Sequence, residues 1–155
     1  SEMVLSYVRD LLERMTGARP EPDHDGDLLI TYGGATFYSR VTNPDDAIVQ
    51  VFGVAVADID PTPELFEAIN EINRSIGFAR AFWVGGQVLV EAEIWGVDVN
   101  PSNFQHACWN IASAIDRFGP SLIEQFGGRP RFEELKEPEY DQGALFRANG
   151  HGPYL

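Results

Sequence analysis

Two hydrophobic periods alternate along this chain. Near its start, Val4, Val8, Leu11 and Met15 recur every three or four residues, and Leu5, Tyr7 and Leu12 widen the stripe. That spacing predicts an amphipathic helix over Glu2–Thr16, with Gly17 just past its end. Residues 18–27 carry Pro20, Pro22, Gly26 and three aspartates, and read as a loop. Strand-like runs follow at 28–32, 35–42 and 47–59. Gly33-Gly34 between the first two permits the positive φ angles of a tight hairpin, and Asn43-Pro44-Asp45-Asp46 is a second turn signal. In the third run Val49, Val51, Val54 and Val56 put apolar residues on both parities, as in a central strand covered at least in part on both faces. Gly53 marks a bulge or bend within it.

The period then returns to helical. Thr62 suits a cap, Pro63 the first helical position and Glu64 the positive end of the dipole. Leu65, Ile69, Ile72 and Ile76 form the stripe, and Gly77 ends it. Runs 78–84 and 87–95 flank Gly85-Gly86 and predict another hairpin. Its register sets Arg80 opposite Glu91, Phe82 opposite Leu89 and Trp83 opposite Val88, and the first of these is a favourable cross-strand pair. A last helix starts at Asn100-Pro101 and carries Phe104, Cys108, Ile111, Ile115, Phe118 and Leu122 on one stripe. Gly119-Pro120 is expected to kink or break it, and Gly127-Gly128 to end it. The order α-β-β-β-α-β-β-α predicts an α+β fold, an antiparallel sheet with helices packed on one face. We place the domain at 1–128 and a polar, turn-rich tail at 129–155, packed on the domain or on a partner.

Length and composition fit one domain that holds its core without metal or disulfide. With 155 residues and 44% hydrophobic content, such a chain buries about 68–70% of its unfolded surface. Eleven basic against 24 acidic residues give a formal charge of −13. That field disfavours nucleic acid and anionic membrane as partners. Cys108 is the single cysteine and falls in an apolar helical pattern, so a buried, inert thiol is expected. No run approaches the ~20 apolar residues of a membrane span. The N-terminus lacks a secretory signature, so a cytoplasmic location is expected.

Candidate chemistry is sparse. Asp23-His24-Asp25-Gly26-Asp27 has the oxygens a hard cation would use, but no glutamate at the twelfth position of a calcium loop. A solvated turn is the favoured reading. His106 and Cys108 point in different directions on a helix. Glu91 and Glu93 share a strand face, where Arg80 would neutralise Glu91, so an acid/base pair is disfavoured. No phosphate-binding glycine loop opens a helix. We therefore expect no catalytic residues, no metal and no cofactor.

The second hairpin carries the most informative surface. With Ala81, Trp83, Val88, Val90, Ala92 and Ile94 toward the helices, the opposite side presents Phe78, Phe82, Leu89 and Trp95. Such a patch marks a protein contact, a partner-binding or dimer face, or else a surface that the tail covers. Asn70 and Asn73, at the end of the middle helix, are expected to bond neighbouring backbone and lock the helix to the hairpin.

The ordered set resembles the fold shared by type III secretion chaperones and the YbjN-like proteins. The local likeness lies in Asn70-Glu71-Ile72-Asn73, then Phe78-Ala79-Arg80-Ala81-Phe82 and the strand from Val88 to Ile94. It extends over residues 2–126. The resemblance implies a small acidic homodimer, without nucleotide, that binds peptide segments of client proteins by covering apolar side chains or adding a strand. The expectation is thus a non-enzymatic, chaperone-like or adaptor module. The alternative is a small-molecule-binding regulatory domain, or an enzyme, using the sheet near Trp83, Trp95 and Trp109.

Overall fold

Both hairpins close on glycine pairs because both central residues of each turn are left-handed. Gly33 and Gly34 have φ of 61° and 79°, and Gly85 and Gly86 have 56° and 82°, the signature of turns whose twist matches the flanking strands. The computed structural model describes residues 2–42 and 45–132. Asn43-Pro44 and the tail from 133 onward lie outside the described residues. The elements are α1 (Glu2–Thr16), β1 (Leu28–Tyr32), β2 (Ala35–Thr42), β3 (Ile48–Val56), α2 (Pro63–Ser75), β4 (Arg80–Val84), β5 (Gln87–Trp95) and α3 (Pro101–Phe126). The order is the one the periodicity predicts.

One five-stranded sheet runs β1-β2-β3-β5-β4, every neighbouring pair antiparallel. The second hairpin has the register read from the sequence, with Arg80 opposite Glu91 and Phe82 opposite Leu89. Two strands are shorter than their apolar runs. Phe78 takes a left-handed φ of 57°, so extended backbone begins only at Arg80. The β3–β5 register shifts between Val54 and Val56, and Asp58, with φ of 55°, turns the chain away before residue 59.

All three helices cover the same face, because their buried stripes join one cluster with alternate strand residues. From the helices come Val8 and Leu12, Leu65 and Ile69, and Phe104 and Ile111; from the strands, Ile30, Phe37, Val51, Ala81 and Val90. Thr62 caps α2 by accepting the Leu65 N–H at 3.1 Å, leaving Pro63 where no donor is needed. Asn100 and Asn103 form a reciprocal capping box on α3, each side-chain oxygen taking the other's backbone N–H at about 3 Å.

The expected break at Gly119-Pro120 does not occur: α3 is continuous through Pro120. Proline removes the donor for the Asp116 carbonyl, but Asp116 and Pro120 are both exposed, so water can take its place. Gly119 serves a different purpose. A methyl there would lie 2.8 Å from the Ala55 carbonyl oxygen, and one at Gly53 would lie 2.5 Å from Ile115 Cδ1 and 3.0 Å from Phe37 Cβ. Helix and central strand therefore meet at glycine distance from both sides.

This contact predicts a sharp contrast between two glycines. Gly53→Ala must displace packed side chains and should cost about 1–3 kcal/mol. Gly77→Ala meets nothing within 4 Å and should leave stability within about 0.5 kcal/mol. Urea unfolding of the two variants checks this; equal midpoints would contradict it.

Candidate functional site

With the helices on one side, the other face of the sheet has no layer of secondary structure over it among the described residues. Register builds this outer face in rows. The first joins Val54, Leu89 and Phe82, and the second Leu29, Tyr38, Phe52, Glu91 and Arg80. A third holds Arg40, Gln50 and Glu93, and a fourth Thr42, Ile48 and Trp95. The apolar area thus spreads over the first row and the β1–β3 part of the second, which Glu91 and Arg80 close with charge. Tyr38 stacks on Phe52 with ring centroids 5.5 Å apart, and Phe132 lies tilted against Tyr38 at 6.0 Å. Leu29 and Val84, at 51% and 47% exposure, mark its two ends.

Charges are confined by specific bonds. Arg80 donates to Glu91 Oε2 through Nε at 2.8 Å and Nη2 at 2.5 Å. Gln50 Nε2 donates to Glu91 Oε1 at 3.2 Å and Glu93 Oε1 at 3.0 Å. Donating to the Glu91 carboxylate raises the Arg80 guanidinium pKa above its ordinary value, so Arg80 stays charged. Across the sheet Arg40 grips Asp27 through two bonds, at 2.5 and 2.9 Å, with its guanidinium 5.4 Å from the Phe52 ring centre. These pairs make a polar band beside the apolar area, with Glu91 and Glu93 both held by Gln50.

The structure separates the four patch residues read from the sequence. Phe82 and Leu89 are cross-strand neighbours on the outer face. Trp95, at 57% exposure, shares that face but lies beyond Glu91 and Glu93 on the same strand. Phe78 is 97% exposed and precedes β4, so it belongs to no row. Tyr38, Phe52 and Phe132 are additional members of the surface. Alternation in β2, with Phe37 and Ser39 inward, was the signal that could have found Tyr38. The three tryptophans do not converge: Trp83 faces the helices and donates to the Ile59 carbonyl at 2.9 Å, Trp95 is on the opposite face, and Trp109 lies on α3 beside Gly33.

Asn73 bonds in the manner of a neighbouring strand. In a hairpin closed by two residues, Val84–Gln87 and every second pair exchange bonds, which turns the Ala81 N–H and C=O outward. Asn73 Oδ1 accepts that N–H at 2.7 Å, and Nδ2 donates to that carbonyl at 3.0 Å. Its carboxamide therefore occupies the β4 edge and ties α2 to the hairpin. Asn70 lies one turn earlier, exposed.

The sequence of this fold and face has relatives. A family model matches residues 2–134: TY-Chap1, T3SS (YopN, CesT) and YbjN peptide-binding chaperone 1. The chain belongs to the TY-Chap1 family. No curated protein matches it. The resemblance read from the ordered motifs and the α+β architecture agree with this assignment, and the TY-Chap1 match ends two residues beyond the last described one.

Elsewhere the inventory is quiet. Asp23, His24 and Asp25 place one ligand atom each within 4.8 Å of one another, but the Asp23 carboxylate accepts the backbone N–H groups of Asp25 and Asp27 at 2.9 Å. That is an Asx turn. Burial pushes the Cys108 thiol far above its ordinary pKa, which makes it unreactive. No helix among the described residues is long and apolar enough to cross a membrane.

Two measurements follow from these bonds. Asn73→Ala leaves the Ala81 edge groups to water and should lower stability by about 1 kcal/mol, a Tm drop of about 2–4 °C; an unchanged melting curve would contradict it. The Asp27 N–H, donating to Asp23, holds that carboxyl below its usual pKa. A depressed carboxyl contributes stability that is present above the unfolded pKa, about 4, and is lost as pH falls through the folded value. Asp23→Asn keeps the acceptor but removes the titration, so the loss of stability below about pH 4 should be shallower than in the wild type.

Proposed function

We propose that this TY-Chap1 member is a non-enzymatic, chaperone-like or adaptor module that binds extended apolar segments of client proteins on the outer face of its sheet. The observation that carries this reading is the unlayered surface of the half-buried Phe82, Leu89, Phe52 and Tyr38 and the exposed Leu29, with Val54 buried at its centre, on a fold whose family is described as peptide-binding. Covering the apolar area these side chains still expose contributes about 25 cal/mol per Å², so several of them together can hold a peptide. The polar band formed by Arg80, Glu91, Gln50 and Glu93 borders the apolar rows and would orient the peptide backbone.

Strand addition at β4 is the less favoured mode, because Asn73 already satisfies Ala81 and a client would have to displace it. The same proposal has the protein acting as a homodimer in the cytoplasm. Phe78, an almost fully exposed aromatic outside the outer face, is assigned to the contact between copies. A cytoplasmic setting accords with the free, buried Cys108.

The test uses a fluorescein-labelled peptide with leucine and phenylalanine at alternate positions, read by anisotropy. Phe82→Asp and Leu89→Asp should each weaken binding at least about tenfold, equivalent to about 1.4 kcal/mol. Met3→Asp on the exposed side of α1 should have no effect. Affinity unchanged by both outer-face variants would eliminate this surface. Light scattering should give roughly twice the 17.2 kDa chain mass, falling to one chain in Phe78→Asp; a monomeric wild type would refute the dimer.

A further inference from the structure

The stretch after α3 returns to the sheet and brings Phe132 onto its outer face. Pairing between β2 and β3 stops at Tyr38 and Phe52, leaving the last residues of β3 without that neighbour. The post-helical chain enters there: Ala57 and Arg129 exchange backbone bonds at 2.7 and 2.9 Å. Gly128 makes the approach possible, since a methyl would lie 2.6 Å from Val56 Cγ1 and 2.7 Å from the Ala57 carbonyl oxygen. Arg129 Nε then pairs with Asp58 at 2.5 Å, and three residues on, Phe132 lies against Tyr38. The domain thus fastens the base of its C-terminal segment beside the apolar rows.

We propose that residues 133–155 act as an intramolecular occupant of the outer face, competing with client segments for the Val54–Leu89–Phe82 row. This rests on the reading of that face as a peptide-binding surface. Three considerations select this occupant. The segment leaves Phe132 already on the face, whereas a second copy would have to find it by diffusion. It carries Leu145-Phe146 about a dozen residues beyond Phe132, and a chain of that length can span roughly 20 Å. From β2 to β4 is three strand spacings, about 14 Å, so the length suffices for the apolar pair to reach Phe82. Tethering at such length also supplies an effective concentration on the order of millimolar. A segment with only modest intrinsic affinity would hold the face against free peptide at lower concentration. The family match stops at residue 134, which places this device outside the shared domain.

The test keeps the full chain throughout. A fluorescein-labelled synthetic peptide copying residues 133–155 is titrated into the wild type and into a Leu145→Asp/Phe146→Asp variant. The variant should bind the peptide at least about tenfold more tightly, and adding Leu89→Asp should remove the gain. Equal affinities overturn the proposal, as does a gain that survives Leu89→Asp. If light scattering shows the gain to accompany dissociation of a dimer, the occupant is a second copy and the proposal fails. The alternating leucine–phenylalanine peptide separates the two readings. Its Leu89-dependent binding, unaffected by the tail substitutions, would sink the tail alone. Binding of the 133–155 peptide to Leu89 in the variant, without binding of the alternating peptide, would support the tail and sink the client surface.

Discussion

The close approach of α3 to β3 sets the geometry of this protein. Gly53 opens the strand to Ile115, and Gly119 opens the helix to the Ala55 carbonyl. Side chains normally separate a helix from the sheet beneath it; here two missing side chains let α3 settle on the central strand. Flanking α1 and α2 then cover the remaining inner residues, and all large helical stripes are spent on one face. Among the described residues the other face has no helix left to cover it. Its exposure follows from packing on the far side.

That asymmetry explains how charge is used. An acidic chain with a formal charge of −13 would gain little from scattered basic residues. Yet Arg40 and Arg80 are placed on the outer face and each is fixed on a carboxylate, Asp27 and Glu91. Exposed pairs of this kind contribute little stability. What they do is keep Glu91, whose side chain is mostly covered, from presenting an unpaired charge beside Phe52 and Leu89. Asn73 does the analogous task for the backbone, satisfying the edge groups of Ala81 that could otherwise recruit another strand.

Much of this was legible in the residues because the signals were local. Glycine pairs fixed both hairpins, and the Gly85-Gly86 turn carried the Arg80–Glu91 register with it. Helical stripes and the caps at Thr62 and Asn100 gave the helix limits. Non-local facts were harder. Pro120 reads as a breaker by its own chemistry, but Asp116 and Pro120 lie on the exposed side of the helix, where the missing bond is tolerable. Gly119 reads with Pro120 as a kink or break, yet its purpose is a close approach to Ala55, far away in sequence. Phe78 looks like the first residue of a strand, and only its left-handed backbone removes it from the patch. Tyr38 and Phe52 joined the outer face through the pairing of β2 with β3, whose register the turn signal at Asn43-Pro44-Asp45-Asp46 left open. The family likeness came from the order of elements and lay within the matched span; the placement of Arg129 to Phe132 on the sheet had no periodicity to announce it.

The central claim is that peptide is held by the outer face. Methyl-group NMR of the full chain during titration with the alternating leucine–phenylalanine peptide tests it most directly, because each face carries its own reporters. Shift changes should concentrate on Val54, Leu89, Val84 and Leu29, while Val8, Leu12 and Leu65 in the core between sheet and helices stay in place. Changes centred on the helical side, with the outer-face methyls unmoved, would contradict the account.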